Sequence, residues 1–374
     1  MKTSESKQNS ASRKYFYELN FVRAIACLFV VMVHVTAKYY HLNEQTFSWA
    51  TLFLNQVSRL GTPMFAIISG FLLYNQAINR GFQMNHFVSS RFTKVVIPFV
   101  VWSFIYLLLI SYPFPWQENG REMSYFLTHF FLGDSYFHLY FMMVVVQFYI
   151  LFPFLQFLKT KKWMIALTIL AFFVNYFHIR RPLETGNELL TIFTHDRSSI
   201  LYWIFFFMLG GLLVHYWGFI IKKVEENAKF CVIIALMMVG AGIYEYEVFG
   251  FYSSTRIANL IIMPIFFISI IGVYFLMSNF GKLRKQIIEL GNLSMGIYLV
   301  HPLALYFINQ HASFLLERTR WIPLAYILTV AASIIIVKII NKLPLGQYIV
   351  TVAGKKKTKK TKQPDNTHQK QIAV

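Results

Sequence analysis

Arg23 and His34 lie on the first apolar block of the chain, separated by ten residues. On a helix, eleven residues advance about 16 Å in about three turns, so both side chains face roughly one side. Arg23 then lies near one end of the block and His34 toward the other. Histidine is the side chain best suited to take and return a proton near neutral pH, which makes His34 a candidate general base. The pair also fits a hydrogen-bonded interhelical histidine plus an arginine whose head snorkels to the interface.

Other ionisable groups sit where lipid should be, each costly unless paired or hydrated. The second apolar block carries Arg59, then Gly61-Thr62-Pro63 and Ser69-Gly70. Arg59 is too deep for a flanking charge. It could bind a carboxylate or stabilise negative charge developing in a reaction. Pro63 removes a helical hydrogen bond and predicts a kink or unwound turn, tolerated at membrane depth only where protein or water satisfies the freed groups. Gly61, Ser69 and Gly70 permit close helix packing, which is the competing account of the stretch. Arg91 and Lys94 lie one helical turn apart, with Pro98 beyond. They suit the phosphates of a donor such as a coenzyme A thioester, or a simple topology anchor. His138 stands among Tyr136, Phe137 and Tyr140, aromatics that also serve as ordinary interfacial anchors. Near the far end of the chain, Glu289 precedes Gly291-Asn292-Leu293-Ser294, then Tyr298 and His301-Pro302. Tyr298 could hydrogen-bond a substrate, and His301 is a second deep histidine at a proline break. No Cys/His cluster, HExxH or paired-histidine spacing implies a metal, and no P-loop or GxSxG elbow appears.

These residues need a membrane scaffold. Of 374 residues, 56% are hydrophobic and 14% charged, against roughly 25% charged in soluble domains. A block of about 20 apolar residues spans the hydrocarbon core as a helix. Ten blocks qualify: 19–38, 51–73, 95–112, 137–158, 163–179, 200–220, 230–249, 257–278, 287–309 and 322–341. The expected fold class is therefore an all-α polytopic membrane protein, a bundle of about ten transmembrane helices. The first block follows a polar stretch and lacks a cleavage site, so it is not read as a signal peptide. With the N-terminus inside, every inside segment holds three or more Lys or Arg. The positive-inside rule then puts both termini in the cytoplasm. The net charge of +19 follows this topology and does not point to nucleic acid. The two cysteines, Cys27 and Cys231, lie in apolar blocks and imply no disulfide framework. The chain divides into a segment 1–18, a membrane domain 19–342 and a basic tail 343–374 that cannot bury a core and is read as disordered. The tail suits anionic lipid headgroups, or serves only as a topology anchor.

Taken in order, the motifs resemble the membrane acyltransferase-3 family, whose members move acyl groups to sugars of the cell envelope. The resemblance rests on Leu19-Asn20-Phe21-Val22-Arg23, the Arg23–His34 spacing, Pro63-Met64-Phe65 through Ser69-Gly70-Phe71, Arg91 through Pro98, His138-Leu139-Tyr140-Phe141, and Leu293 through His301. It is nearest the stand-alone branch that includes the intercellular-adhesion protein C group, associated with poly-N-acetylglucosamine. Two positions depart from the family. Lys94 stands where an arginine is common, keeping the charge but losing the bidentate fork. Tyr140 stands where tryptophan is common.

The resemblance implies an O-acyltransferase of the bacterial cytoplasmic membrane. Its donor would be a cytoplasmic acyl-CoA, acetyl-CoA or succinyl-CoA, with no metal. Its acceptor would be an extracytoplasmic cell-envelope polysaccharide. The catalytic set is His34, Arg23, Arg59 and His301; the substrate-binding set is Arg91, Lys94, His138, Tyr298 and Ser69. Two rivals share the same features. One is an exporter or flippase of a glycan or lipid-linked sugar, which buried charges and proline breaks also suit. The other is an accessory subunit partnered with a polysaccharide synthase, in which His34 would be dispensable.

Overall fold

Ten helical segments in the computed structural model are long and apolar enough to cross a membrane, one for each apolar block of the sequence. The structure describes residues 15–109, 127, 130–250 and 253–352. No strand occurs among the described residues, as expected where lipid cannot hydrogen-bond a backbone left unpaired.

The first span is α1 (Tyr17–Leu42). The second is broken into α2 (Trp49–Ser58) and α3 (Gly61–Arg80). The third runs from α4 (Met84–Arg91) through a π-helical turn at Phe92–Val96 into α5 (Ile97–Leu109). Then follow α6 (Tyr140–Leu155), α7 (Lys161–Arg180), α8 (Ile204–Glu226), α9 (Ala228–Phe249), α10 (Asn259–Leu276), α11 (Gly281–His311) and α12 (Ile322–Ile340). Ten crossings bring both described ends to one side of the bundle.

The spans are not equally central. Buried residues make up 61%, 67% and 61% of the most apolar stretches of α1, α2–α3 and α11, against 22% for α9 and 28% for α7 and α12. The three central spans are those that carry Arg23, His34, Arg59, Tyr298 and His301. The outer helices show apolar side chains such as Phe177, Leu236 and Ile327 to the surroundings, as lipid-facing positions require.

Apolar side chains gain little by leaving lipid for protein, so helix association relies on close backbone approach. Gly70 of α3 and Gly210 of α8 face each other's helices. A Cβ on Gly70 would run into the Phe207 carbonyl, and one on Gly210 into the Ile67 carbonyl. Gly291 plays the same part between α11 and α1, where a Cβ would meet the Asn20 carbonyl. Both cysteines are free.

The break in the second span falls at Arg59–Leu60, four residues before Pro63. The proline itself occupies the first turn of α3, where its missing N–H is harmless. Its ring excludes the carbonyl four residues earlier from the helical pattern, and that carbonyl belongs to Arg59.

At the other end, the ordered chain passes beyond residue 342. Leu345 turns back with φ 64°, and α13 (Gly346–Ile349) packs beside α5. Val350 is wholly buried, and the Trp102 indole donates to the Ile349 carbonyl at 3.0 Å. The boundary drawn at 342 is therefore too early: apolar Ile349, Val350 and Val352 give residues 343–352 a core to join. The basic residues from Lys355 onward, like Lys2, Lys7, Arg13 and Lys14, lie outside the described residues.

Candidate active site: two chambers meeting at Tyr298

The polar residues of the central helices line two chambers. The near chamber opens toward the end of the bundle where the chain's ends lie. It holds about 980 Å³, mouth included, and is lined by Arg23, Arg91, Lys94, Ser69, Asn292 and Thr351 over an apolar interior of Phe65, Phe141 and Val145. The far chamber holds about 650 Å³, mouth included. His34, Arg59, His138, Tyr140, Arg197 and the run Ser253–Thr255 line it. Tyr298 lines both.

The near chamber is cationic. Neither Arg23 nor Arg91 meets a carboxylate within ion-pair distance among the described residues. The Nε of each is buried without a hydrogen-bond partner there. The Arg91 guanidinium rests 5.3 Å from the Tyr149 ring centre and 5.6 Å from that of Phe87, with one Nη 3.5 Å from Gln76 Oε1. Cation–π contact of this kind steadies the group without neutralising it. A buried guanidinium with no counter-charge is an anion site by default.

The far chamber is built round three histidines from three spans or their ends. The His34 ring stacks on that of His301 at 5.2 Å, and His138 meets His301 edge-on at 5.4 Å. Phe137 closes on His34 at 4.5 Å. His301 Nδ1 lies 2.8 Å from the Tyr298 carbonyl and 3.1 Å from that of Ile297. Carbonyl oxygens only accept, so Nδ1 carries the proton. In the neutral ring Nε2 then keeps its lone pair, and that atom is buried without a partner among the described residues. The Tyr298 hydroxyl donates to the His138 backbone carbonyl, and the Tyr298 ring lies 5.3 Å from the His138 ring.

A shared device shapes the helices here. Pro63 and Pro302 each deprive the carbonyl four residues earlier of its helical donor. Those carbonyls belong to Arg59 and Tyr298, both chamber residues. Ser254 Oγ donates to the Arg59 carbonyl at 3.4 Å, and His301 Nδ1 donates to that of Tyr298. A side chain thus satisfies each freed group: at Arg59 it comes from a distant part of the chain, and at Tyr298 from the next turn of the same helix, which runs on unbroken through Pro302.

Every residue expected from the sequence falls in or against one chamber or the other. Ser69, Arg91 and Lys94 line the near one; His34, Arg59 and His138 line the far one; His301 packs on both other histidines. Arg23 is not brought to the histidines with which it was grouped: it lines the near chamber with Arg91. Glu289 lies on an exposed face of α11. Three contributors were not anticipated. Asn55 Oδ1 accepts from Arg59 Nε at 3.0 Å while its amide donates to Thr36 Oγ1 at 2.9 Å, so it aims the guanidinium. Its position one turn before Arg59, inside an apolar block, was the available signal. Arg197 lies 4.6 Å from the Tyr140 ring centre and 3.9 Å from Asp134. The hydroxyls of Ser253–Thr255 carried no sequence signal. No group of three or more potential ligands is placed to hold a metal among the described residues.

The profile of the acyltransferase-3 family, described as an acyltransferase domain, matches residues 16–338. This chain belongs to the acyltransferase-3 family. The match reaches into all ten spans and takes in every chamber residue named above except Thr351, and membership supports an acyltransferase activity. Among curated proteins, the probable poly-beta-1,6-N-acetyl-D-glucosamine export protein of Staphylococcus epidermidis is 22% identical over 307 residues, 78% of this chain and 82% of the relative. The protein of the same name from Staphylococcus aureus strain MSSA476 is 24% identical over 309 residues, 78% of this chain and 83% of the relative. No solved structure matches the chain.

Proposed function

We propose that this acyltransferase-3 protein moves an acetyl or succinyl group from a cytoplasmic acyl-CoA to a hydroxyl of a cell-envelope polysaccharide outside the cytoplasmic membrane. The observation that carries the reading is the pair of chambers meeting at Tyr298, one cationic and one lined with histidine. A two-substrate transfer across a membrane needs such an arrangement: each substrate enters from its own side and the reacting atoms meet at the junction.

The near chamber is the donor site. The coenzyme A phosphates lie against Arg91, Lys94 and Arg23; neither arginine has a carboxylate within ion-pair distance among the described residues. The pantetheine arm follows the apolar wall of Phe65, Phe141 and Val145 and delivers the thioester near Tyr298. The acceptor sugar enters the far chamber, where the hydroxyls of Ser253–Thr255 suit a carbohydrate. His34 takes the proton of the acceptor hydroxyl as its oxygen attacks the thioester carbon. Arg59, held by Asn55, offsets the negative charge that develops on the carbonyl oxygen. The new C–O bond forms, the C–S bond breaks, and the proton passes from His34 to the departing coenzyme A sulfur. His301 backs the His34 ring and orients it.

The test is mass spectrometry of envelope polysaccharide from cells with the wild-type gene, a deletion or His34→Ala. Alkali-labile ester mass lost in both mutants supports transfer and names the acyl group. A second reading, export of the polysaccharide, draws on the printed names of the staphylococcal relatives. It predicts polymer retained inside the cell with its esters intact.

A further inference from the structure

The proline device of the far chamber occurs a third time in the near chamber. Within an α-helix the donor to the Lys94 carbonyl would be the N–H of residue 98, and residue 98 is proline. The helix responds with the π turn at Phe92–Val96, in which the Ile97 N–H reaches back five residues to Phe92. Turns of this kind within α-helices mark functional sites. The Thr351 hydroxyl, some 250 residues away in sequence, donates to the Lys94 carbonyl at 2.7 Å and itself lines the chamber.

The segment that carries Thr351 is firmly seated. Leu345 adopts a left-handed turn that only glycine takes without cost. A Cβ on Gly346 would run into the Ile340 carbonyl. Val350 is wholly buried and Trp102 holds Ile349. Contacts of this kind pay for a strained turn only where the segment has a fixed place in the fold.

We infer that residues 343–352 form a strap that completes the near chamber, and that Thr351 is a positioning residue for Lys94, so the strap sets the affinity for the polyphosphate end of the donor. The inference rests on the donor reading of that chamber. In both other instances of the device a side-chain donor takes the carbonyl that a proline frees on a chamber residue, Ser254 for Arg59 and His301 for Tyr298. The strap does the same for the one cation of the near chamber that sits within a π turn. Lysine carries its charge on a flexible stem, so a fixed backbone is the means of aiming it.

The experiment is calorimetric titration of coenzyme A into the full-length protein in lipid nanodiscs at physiological salt, with amide exchange measured on the same samples. Thr351→Val keeps the shape and removes the donor. It should weaken coenzyme A binding about three- to tenfold, the range for loss of one hydrogen bond. It should also raise the donor KM by the same factor with kcat unchanged. Thr351→Ser should bind within about twofold of wild type. A chain ended after Lys342 should lose more than about tenfold, and one ended after Val352 less than about threefold, since screening weakens distant charges. Amides 92–97 and 99 should exchange faster in Thr351→Val than in wild type, with or without donor. Equal binding by wild type and Thr351→Val, unchanged exchange, or a serine variant as weak as valine overturns the inference. Wild type that fails to bind coenzyme A overturns the donor reading itself, and the inference with it, while the exchange result still reports on the clamp.

Discussion

The near and far chambers are built from the same central helices and both carry arginines, yet they differ in what stands beside those charges. The near chamber joins its cations to an apolar wall, with no histidine in its lining among the described residues; the far chamber sets His34 and His138, backed by His301, beside Arg59, Arg197 and a run of hydroxyls. Fixed cations hold an anionic ligand equally well before and during a reaction. Lone pairs and proton donors act where bonds change. On the proposed reading, binding and chemistry are separated along the bundle, about three helical turns apart on α1 from Arg23 to His34. Mutations in the far chamber should therefore change kcat, and those in the near chamber the donor KM.

The largest effect expected from breaking this division is at His34. His34→Ala should lower kcat by about 10²- to 10⁴-fold, the usual worth of a positioned base, while coenzyme A binding stays at the wild-type level. Near-normal turnover in that variant would remove His34 from the chemistry. Next comes Arg59→Met, expected to lower kcat by about 10²- to 10³-fold through loss of charge stabilisation. A change confined to KM would place Arg59 with the binding cations instead. Asn55→Ala frees the same guanidinium without removing it, so a loss of about tenfold in kcat should appear, measured beside unchanged donor KM. In the near chamber, Arg91→Met should raise the donor KM by about tenfold at constant kcat, as loss of a charged hydrogen bond does. The smallest effect sharpens the comparison rather than breaking it. Lys94→Arg supplies a bidentate fork and should lower the donor KM by about twofold to threefold; a raised KM would mean that the π turn has no room for the longer fork.

The sequence was most legible where the information was local. Twenty apolar residues in a row meet the same hydrocarbon thickness wherever they fall, so each of the ten blocks became a span. Buried charge was legible for a related reason: Arg23, His34, Arg59 and His301 are costly in lipid, so they marked the central helices before any contact was known. Pro63 announced a break, but its ring acts on the carbonyl of Arg59, which moved the break four residues upstream. Arg197 read as one more charge between spans, because nothing in its neighbours tells that it turns toward Tyr140. Thr351 stood in a stretch whose lysines suggested a solvated tail, and only the packing of Val350 and Ile349 revealed a wall of the chamber.

By itself the sequence determined the all-helical membrane class, the ten apolar spans and most of the charged and histidine residues that lie in the central helices, since hydropathy and the cost of buried charge act residue by residue. The tertiary structure alone decided which of those residues share a chamber. It parted Arg23 from His34, set His34 against His301 and His138, and placed Tyr298 between the two sides. Such pairings depend on how helices far apart in the chain rotate and approach one another, and that is settled by close contacts such as Gly70 against α8 and Gly291 against α1.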